Sequence, residues 1–90
     1  MPTVRRRLVV SGRVQGVFFR DACKAQADLL GVRGWAKNLP DGRVEVVAEG
    51  EANAVEQLAR WCHEGSTRAH VTGVESVTEV PEGLGSFRTR

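Results

Sequence analysis

The sequence predicts an α+β sandwich of element order βαββαβ, with two helices covering one face of an antiparallel sheet. Three observations carry this reading. Two segments, Asp21–Leu30 and Glu51–Glu64, place apolar residues at helical spacings, and each is followed by a glycine stop. The other apolar runs are short, rich in valine and bounded by turn residues, which is the pattern of strands. A chain of 90 residues, 41% of them apolar, has material for one domain with one core, so both helices must bury their stripes against the same sheet.

From Val4 to Val14, the residues Val4, Leu8, Val10 and Val14 share one parity, which predicts a strand buried largely on one face. Gly12 marks a bulge or a close backbone approach near its end. Cys23, Ala27 and Leu30 form the stripe of the first helix, closed by Gly31. Val32–Leu39 and Arg43–Glu49 are strands joined by Pro40-Asp41-Gly42, a turn sequence, and so make a hairpin. Val55, Leu58, Ala59 and Cys62 give the second helix its apolar face, with Gly65 after it and Glu51 near its start to suit the helix dipole. Val71–Val80 is a further strand, and because Val71 and Val74 differ in parity a bulge is expected near Gly73. Phe87–Arg90 adds a short C-terminal edge strand. With right-handed crossovers this order gives the split βαβ, or ferredoxin-like, arrangement with the first strand central. Residues 1–90 form one domain, without linker, repeat or low-complexity segment.

Charged residues make up 27% of the chain and the net formal charge is +2, which gives no strong pull toward nucleic acid or membrane. No stretch approaches the roughly 20 apolar residues of a membrane span, and the N-terminus lacks the apolar core of a signal peptide. The expectation is a cytoplasmic monomer with no cofactor. Cys23 and Cys62 lie inside helical patterns, without metal-ligand spacing, and read as buried free thiols. His63 and His70 stand alone and read as solvated. Arg5, Arg6 and Arg7 read as a solvated strand edge, while acidic residues gather in the second half of the chain.

The informative stretch is Gly12-Arg13-Val14-Gln15-Gly16-Val17-Phe18-Phe19-Arg20, because it joins a central strand to a helix start. Such a junction exposes unpaired N–H groups beside the positive end of a helix dipole, and Gly16 lets the chain curl around an anion. Arg20 opposes that dipole by about 0.3 to 1 kcal/mol, a conflict that a bound anion removes, and guanidinium bonds phosphate oxygens bidentately. Phe18 and Phe19 read as packing residues, one inward and one partly exposed. Gln15 has two readings, a brace for the loop or an exposed amide without a role.

Two motifs then fit together: Val10 to Arg20 as V-S-G-R-V-Q-G-V-F-F-R, and Gly34 to Gly50 as G-W-A-K-N-L-P-D-G-R-V-E-V-V-A-E-G. Through them the sequence resembles the acylphosphatase family, with no departure from the family pattern in either motif, and the element order matches over essentially all 90 residues. In the last strand Thr89 stands where the family often has an apolar residue. The resemblance implies a metal-independent hydrolase that cleaves a carboxyl–phosphate anhydride. It implies that Arg20 and the backbone amides of Gln15, Gly16, Val17, Phe18, Phe19 and Arg20 bind the phosphoryl group, and that Asn38 positions the attacking water. Taken locally, Asn38 is also a suitable hairpin-capping residue. Gly34, Trp35, Lys37 and Gly42 read as shaping the strand and turn, Lys37 having a second reading as a source of positive potential near the site, and Trp35 and Trp61 read as partly buried packing residues. An RNA-recognition domain shares the topology, but Leu8–Val10 and Arg43–Glu49 carry no aromatic residue on which a base could stack.

Overall fold

The computed structural model describes residues 2–90. The chain forms β1 (Thr3–Arg13), α1 (Phe19–Leu30), β2 (Arg33–Asn38), β3 (Val44–Glu51), α2 (Ala52–Glu64), β4 (His70–Glu79) and β5 (Phe87–Thr89). Every expected element is present, with its ends displaced by one or two residues, the ordinary scatter of such boundaries.

The five strands lie in the order β4-β1-β3-β2-β5. β1 runs antiparallel to β3 and β4, and β2 antiparallel to β3. β5 pairs with the outer side of β2 in parallel, Phe87 opposite Gly34 and Thr89 opposite Ala36. The sheet is therefore mixed, which corrects the expectation of a wholly antiparallel one. Chain length explains the difference. Residues 80–86 must cross from one sheet edge to the other, four strand spacings or about 19 Å, and seven extended residues reach only about 25 Å. No length remains to run along the sheet, so β5 starts at the end where β4 finishes and has to point along β2. Thr89 is exposed there, and Phe87, buried, anchors the strand.

Alternation along β1 sends Leu8 and Val10 to the face covered by the helices, where they meet Val44, Val46 and Ala48 of β3 and the stripes Phe19, Cys23, Ala27 and Val55, Leu58, Cys62. Both cysteines are buried as free thiols. Truncating a fully buried leucine such as Leu58 to alanine in a core of this kind costs about 2 to 5 kcal/mol.

The arginine triplet is not a solvated edge. β1 is interior, and its odd-numbered residues point to the face opposite the helices. Arg5 is only 3% exposed and pairs with Glu49 (3.0 Å), Glu79 (2.9 Å) and Glu82 (3.4 Å). Arg7 bridges Glu45 (2.6 Å) and Glu79 (2.8 Å), and Arg6, on the helix side, reaches Glu56 of α2 at 2.6 Å. The crossing link lies over this row, because the buried Glu49 carboxylate accepts hydrogen bonds from the backbone N–H groups of Glu82, Gly83 and Leu84.

The bulge appears at the expected place. Ser11 pairs with Gly73 but Gly12 with Val71, leaving Thr72 as the extra residue. Gly12 has φ 118°, and a Cβ there would collide with the carbonyl oxygen of His70, so the bulge and the close approach are one feature.

Candidate active site

The β1–α1 junction follows directly from how the helix begins. Val14, Val17 and Phe19 are buried, which pins the loop to the core at three points and leaves Gly16 and Phe18 facing out. Gly16 has φ 72°, and Phe18, at the N-cap of α1, sits in the left-handed region at φ 61° and ψ 26°. An N-cap is ordinarily extended, and a left-handed backbone at a residue with a Cβ costs roughly 1 to 3 kcal/mol.

This curl leaves the loop's donors unspent. Among the described residues no turn, loop or cap hydrogen bond starts from the N–H of any residue from Gln15 to Arg20; the first such donor is Ala22, to the Phe18 carbonyl at 3.1 Å. No side chain caps the helix either. Polar N–H groups left without protein partners at a helix start are the elements of an anion site.

Around them lies a cavity of about 310 Å³ lined by Val14, Gly16, Phe18, Phe19, Arg20, Asp21 and Asn38. Arg20 and Asn38, one from α1 and one from the end of β2, are thus brought to one place although 18 positions separate them. Arg20 has no carboxylate side-chain partner among the described residues; it donates one hydrogen bond through Nη1 to the main-chain oxygen of Arg90 at 2.7 Å. Arg90 in turn donates its N–H to Ala36 and lays its guanidinium over Trp35, 4.1 Å from the ring centroid. The Oδ1 atom of Asn38 is buried and has no hydrogen-bond partner among the described residues. Leaving such an atom unpaired costs about 1 to 3 kcal/mol, so it is a group that a ligand or a bound water would satisfy.

Gln15 resolves to the brace. Its Nε2 donates to the carbonyl oxygens of Leu39 (2.7 Å) and Arg43 (2.9 Å), tying the loop to the hairpin turn that follows Asn38. Gln15 and the buried Val17 do not line the cavity, whereas Gly16, Phe18, Phe19 and Arg20 do. Phe19 points inward, at 2% exposure, and packs on Trp61 with ring centroids 5.2 Å apart; Phe18 is 71% exposed. Lys37 is exposed and stands outside the cavity lining. His63 and His70 are exposed, and among the described residues no group of three His, Cys, Asp or Glu is placed to hold a metal.

Two contacts escaped the sequence reading. Ser66, after α2, donates through Oγ to the Val17 carbonyl at 2.6 Å and gives the loop a second tie besides that of Gln15. The Arg90 main-chain oxygen restrains Arg20. Both join residues far apart in the chain, and no local pattern signals them. A Ser after a helix-ending glycine is ordinary turn sequence.

The model of the acylphosphatase family matches residues 6–89. An acylphosphatase of Rubrobacter xylanophilus is 62% identical over 81 residues, covering 90% of this chain and 74% of that protein. One from Anaeromyxobacter dehalogenans is 56% identical over 88 residues, covering 97% and 95%. The solved structure of an acylphosphatase from Coxiella burnetii superposes with a TM-score of 0.94 at 41% identity, covering 98% of this chain and 93% of that one.

Proposed function

Because this chain belongs to the acylphosphatase family, and is an acylphosphatase acting as a hydrolase on an acyl phosphate, we propose that its catalytic centre is the cavity between the Gln15–Arg20 loop and Asn38. The observation that carries this is a run of backbone N–H groups from Gln15 to Arg20 that, among the described residues, have no protein acceptor, with Gly16, Phe18, Phe19 and Arg20 of that run lining one cavity with Asn38.

The phosphoryl oxygens occupy the loop and accept from its amides, and the guanidinium of Arg20 bonds them through the N–H groups not engaged with Arg90. Asn38 cannot serve as a base at neutral pH, because its amide does not take up a proton. It orients a water through its side-chain amide, whose buried Oδ1 has no hydrogen-bond partner among the described residues. The water oxygen attacks phosphorus in line with the bridging oxygen. The bond from phosphorus to that oxygen breaks, and its electron pair leaves with the carboxylate. The proton lost by the water passes to a phosphate oxygen, so the products are a carboxylate and inorganic phosphate. A carboxylate is a good leaving group, and the step requires little beyond positioning and donors fixed where charge accumulates. No metal or other cofactor enters this scheme.

Gln15 serves the reaction indirectly. By holding Leu39 and Arg43 it fixes the distance between the loop that grips phosphorus and the strand end that carries Asn38. The proposal includes action as a monomer in the cytoplasm, where Cys23 and Cys62 stay reduced; a sedimentation mass corresponding to two chains would correct the first part.

Titration of the labelled protein with inorganic phosphate, followed through its amide resonances, tests the site. The expected result is saturable shifts concentrated at Gln15 to Arg20. Shifts spread over the surface, or absent from those residues, would overturn it.

A further inference from the structure

The charged side chains outside the anion cavity are matched unevenly at the two ends of the sheet. β1, β2 and β5 run in one direction and β3 and β4 in the other, so the last residues of the first three and the first residues of the other two share one end, where α1 begins. We propose that Arg13, Lys37 and Arg68, which stand at that end, form an electrostatic funnel that draws the negatively charged substrate toward the Gln15–Arg20 loop. The inference rests on the phosphoryl seat proposed above and extends it from the groups that grip the substrate to groups that gather it from solution.

Placement is the first observation. Arg13 ends β1 opposite His70, Lys37 precedes Asn38 on β2, and Arg68, just before β4, lines a second depression together with Val17 and Phe18. All three are exposed, and none lines the anion cavity. The second observation is pairing. Elsewhere Arg5, Arg6, Arg7, Lys24 and Arg60 each lie within ion-pair distance of a carboxylate, with Arg33 and Arg88 the exceptions. At the cavity end Arg43 is matched by Asp41, but Arg13, Lys37, Arg68 and Arg90 have no carboxylate partner among the described residues. Glu45, across the strand from Lys37, has committed its two oxygens to Trp35 and Arg7. The acids left there are Asp21, in the cavity lining, and Glu64, at the end of α2, so positive charge is in excess.

The third observation is range. A phosphoryl group carries about −1.5 to −2 charge near neutral pH. The field of an exposed cation reaches about 30 Å at 0.01 M salt but only about 3 Å at 1 M. The molecule measures 35 × 22 × 20 Å, so at low salt every cation at this end acts on a substrate at the cavity mouth, and at high salt those outside the cavity no longer do. Like charges gathered without counter-ions oppose compaction, and what they provide is a positive potential that raises the local concentration of an anion.

The test follows kcat/KM for acetyl phosphate from about 0.01 to about 0.5 M sodium chloride on the full chain and on two triple variants. One combines Arg13→Gln, Lys37→Gln and Arg68→Gln, which removes the charge. The other combines Arg13→Lys, Lys37→Arg and Arg68→Lys, which alters each side chain and keeps its charge. Chloride competing at the loop acts on all three proteins alike, so the readout is the difference between their salt curves. At low salt the glutamine variant is expected to show a kcat/KM about tenfold below the parent's, through a raised KM at unchanged kcat, and the two curves should meet at high salt. The charge-keeping variant should follow the parent throughout. Each glutamine change made singly should lower kcat/KM by about twofold, so the reading does not depend on the triple variant folding. A glutamine variant that keeps the parent's salt curve, or a charge-keeping variant that behaves like the glutamine one, would overturn the funnel while the phosphoryl site stands. If the parent protein hydrolyses acetyl phosphate but phosphate titration leaves Gln15 to Arg20 unshifted, the phosphoryl seat itself is misplaced and this inference falls with it.

Discussion

Two loops of this molecule set a run of backbone amides beside an arginine, and only one of them is occupied by the protein itself. At Glu82–Leu84 the N–H groups donate to the carboxylate of Glu49 at 2.7, 3.2 and 3.1 Å, and Arg5 completes the cage at 3.0 Å. At Gln15–Arg20 the amides have no acceptor among the described residues, and Arg20 has no carboxylate side-chain partner among them. The donor chemistry is the same. Where the chain supplies the anion, the arrangement ties a crossing link to the sheet; where it does not, the donors are left for an anion from outside. On the site proposed above, the contrast is between a structural use of a run of amides and a functional one.

The largest effect should come from removing the open site's cation. Arg20→Ala is expected to lower kcat/KM for an acyl phosphate by about a thousandfold or more, since charge on the phosphoryl oxygens then loses its bidentate partner. Circular dichroism should stay close to the parent spectrum. Only the contact to the Arg90 main-chain oxygen is lost, at the last residue of the sheet's edge. A parent-like rate in this variant would remove Arg20 from the mechanism.

The matching change in the closed site should act on stability instead. Glu49→Ala leaves Arg5 buried beside three unpaired amides, and breaking a buried pair in this way costs about 3 to 5 kcal/mol. Denaturant titration measures it. The surviving folded fraction should keep its kcat, because no atom of Glu49 lines the anion cavity. If stability held and the rate fell, the roles assigned to the two loops would be reversed.

Asn38→Ala is expected to lower kcat by about a hundredfold, the scale on which a single positioned polar group acts. Affinity for inorganic phosphate should change little, because the amides and Arg20 remain. Isothermal titration calorimetry separates the two quantities. Loss of phosphate affinity along with the rate would make Asn38 a ligand of the anion and not the residue that orients water.

The open loop could be read from the sequence and the closed one could not, for a physical reason. A strand running into a helix, with glycine in the turn and an arginine at the helix start, is local information, and Gly16 and Arg20 stand within five positions of each other. The same holds for the helix stripes, for Gly31 and Gly65 as stops, and for the bulge at Gly12 and Gly73. The Glu49 cage draws on residues 5, 49 and 82–84, brought together only by the sheet order and by the link that crosses it. Alternation shows that Arg5 and Arg7 face away from Leu8; it cannot show that a seven-residue link will cover that face and bury one of them. The parallel pairing of β5 was hidden for the same reason, as it follows from the length of a connection whose end point had to be known first.

Acid sharpens the comparison in a last way. Burial, the largest single influence, pushes the Glu49 carboxyl up, but the amides of Glu82, Leu84 and Gly83 and the Arg5 guanidinium together outweigh it and leave it below its ordinary value near 4.5. Glu79 is also held low, by Arg7 first and then Arg5. A carboxyl depressed in the folded state contributes stability that is fully present above its unfolded value and is lost as pH falls through the folded one. The melting temperature should therefore be insensitive to these groups above about pH 5 and decline below about pH 4.5 as the cage takes up its proton. Glu49→Gln should melt lower than the parent above about pH 5 and show a shallower acid decline, the two curves drawing together in acid, because the proton that the parent must accept has no carboxylate to bind. An acid decline as steep in the variant as in the parent would place the responsible carboxyl elsewhere. The loop amides and the Asn38 side chain do not protonate in this range, whereas the Glu49 cage is held together by a carboxylate, so acid should unfold the enzyme through the loop that carries out no chemistry.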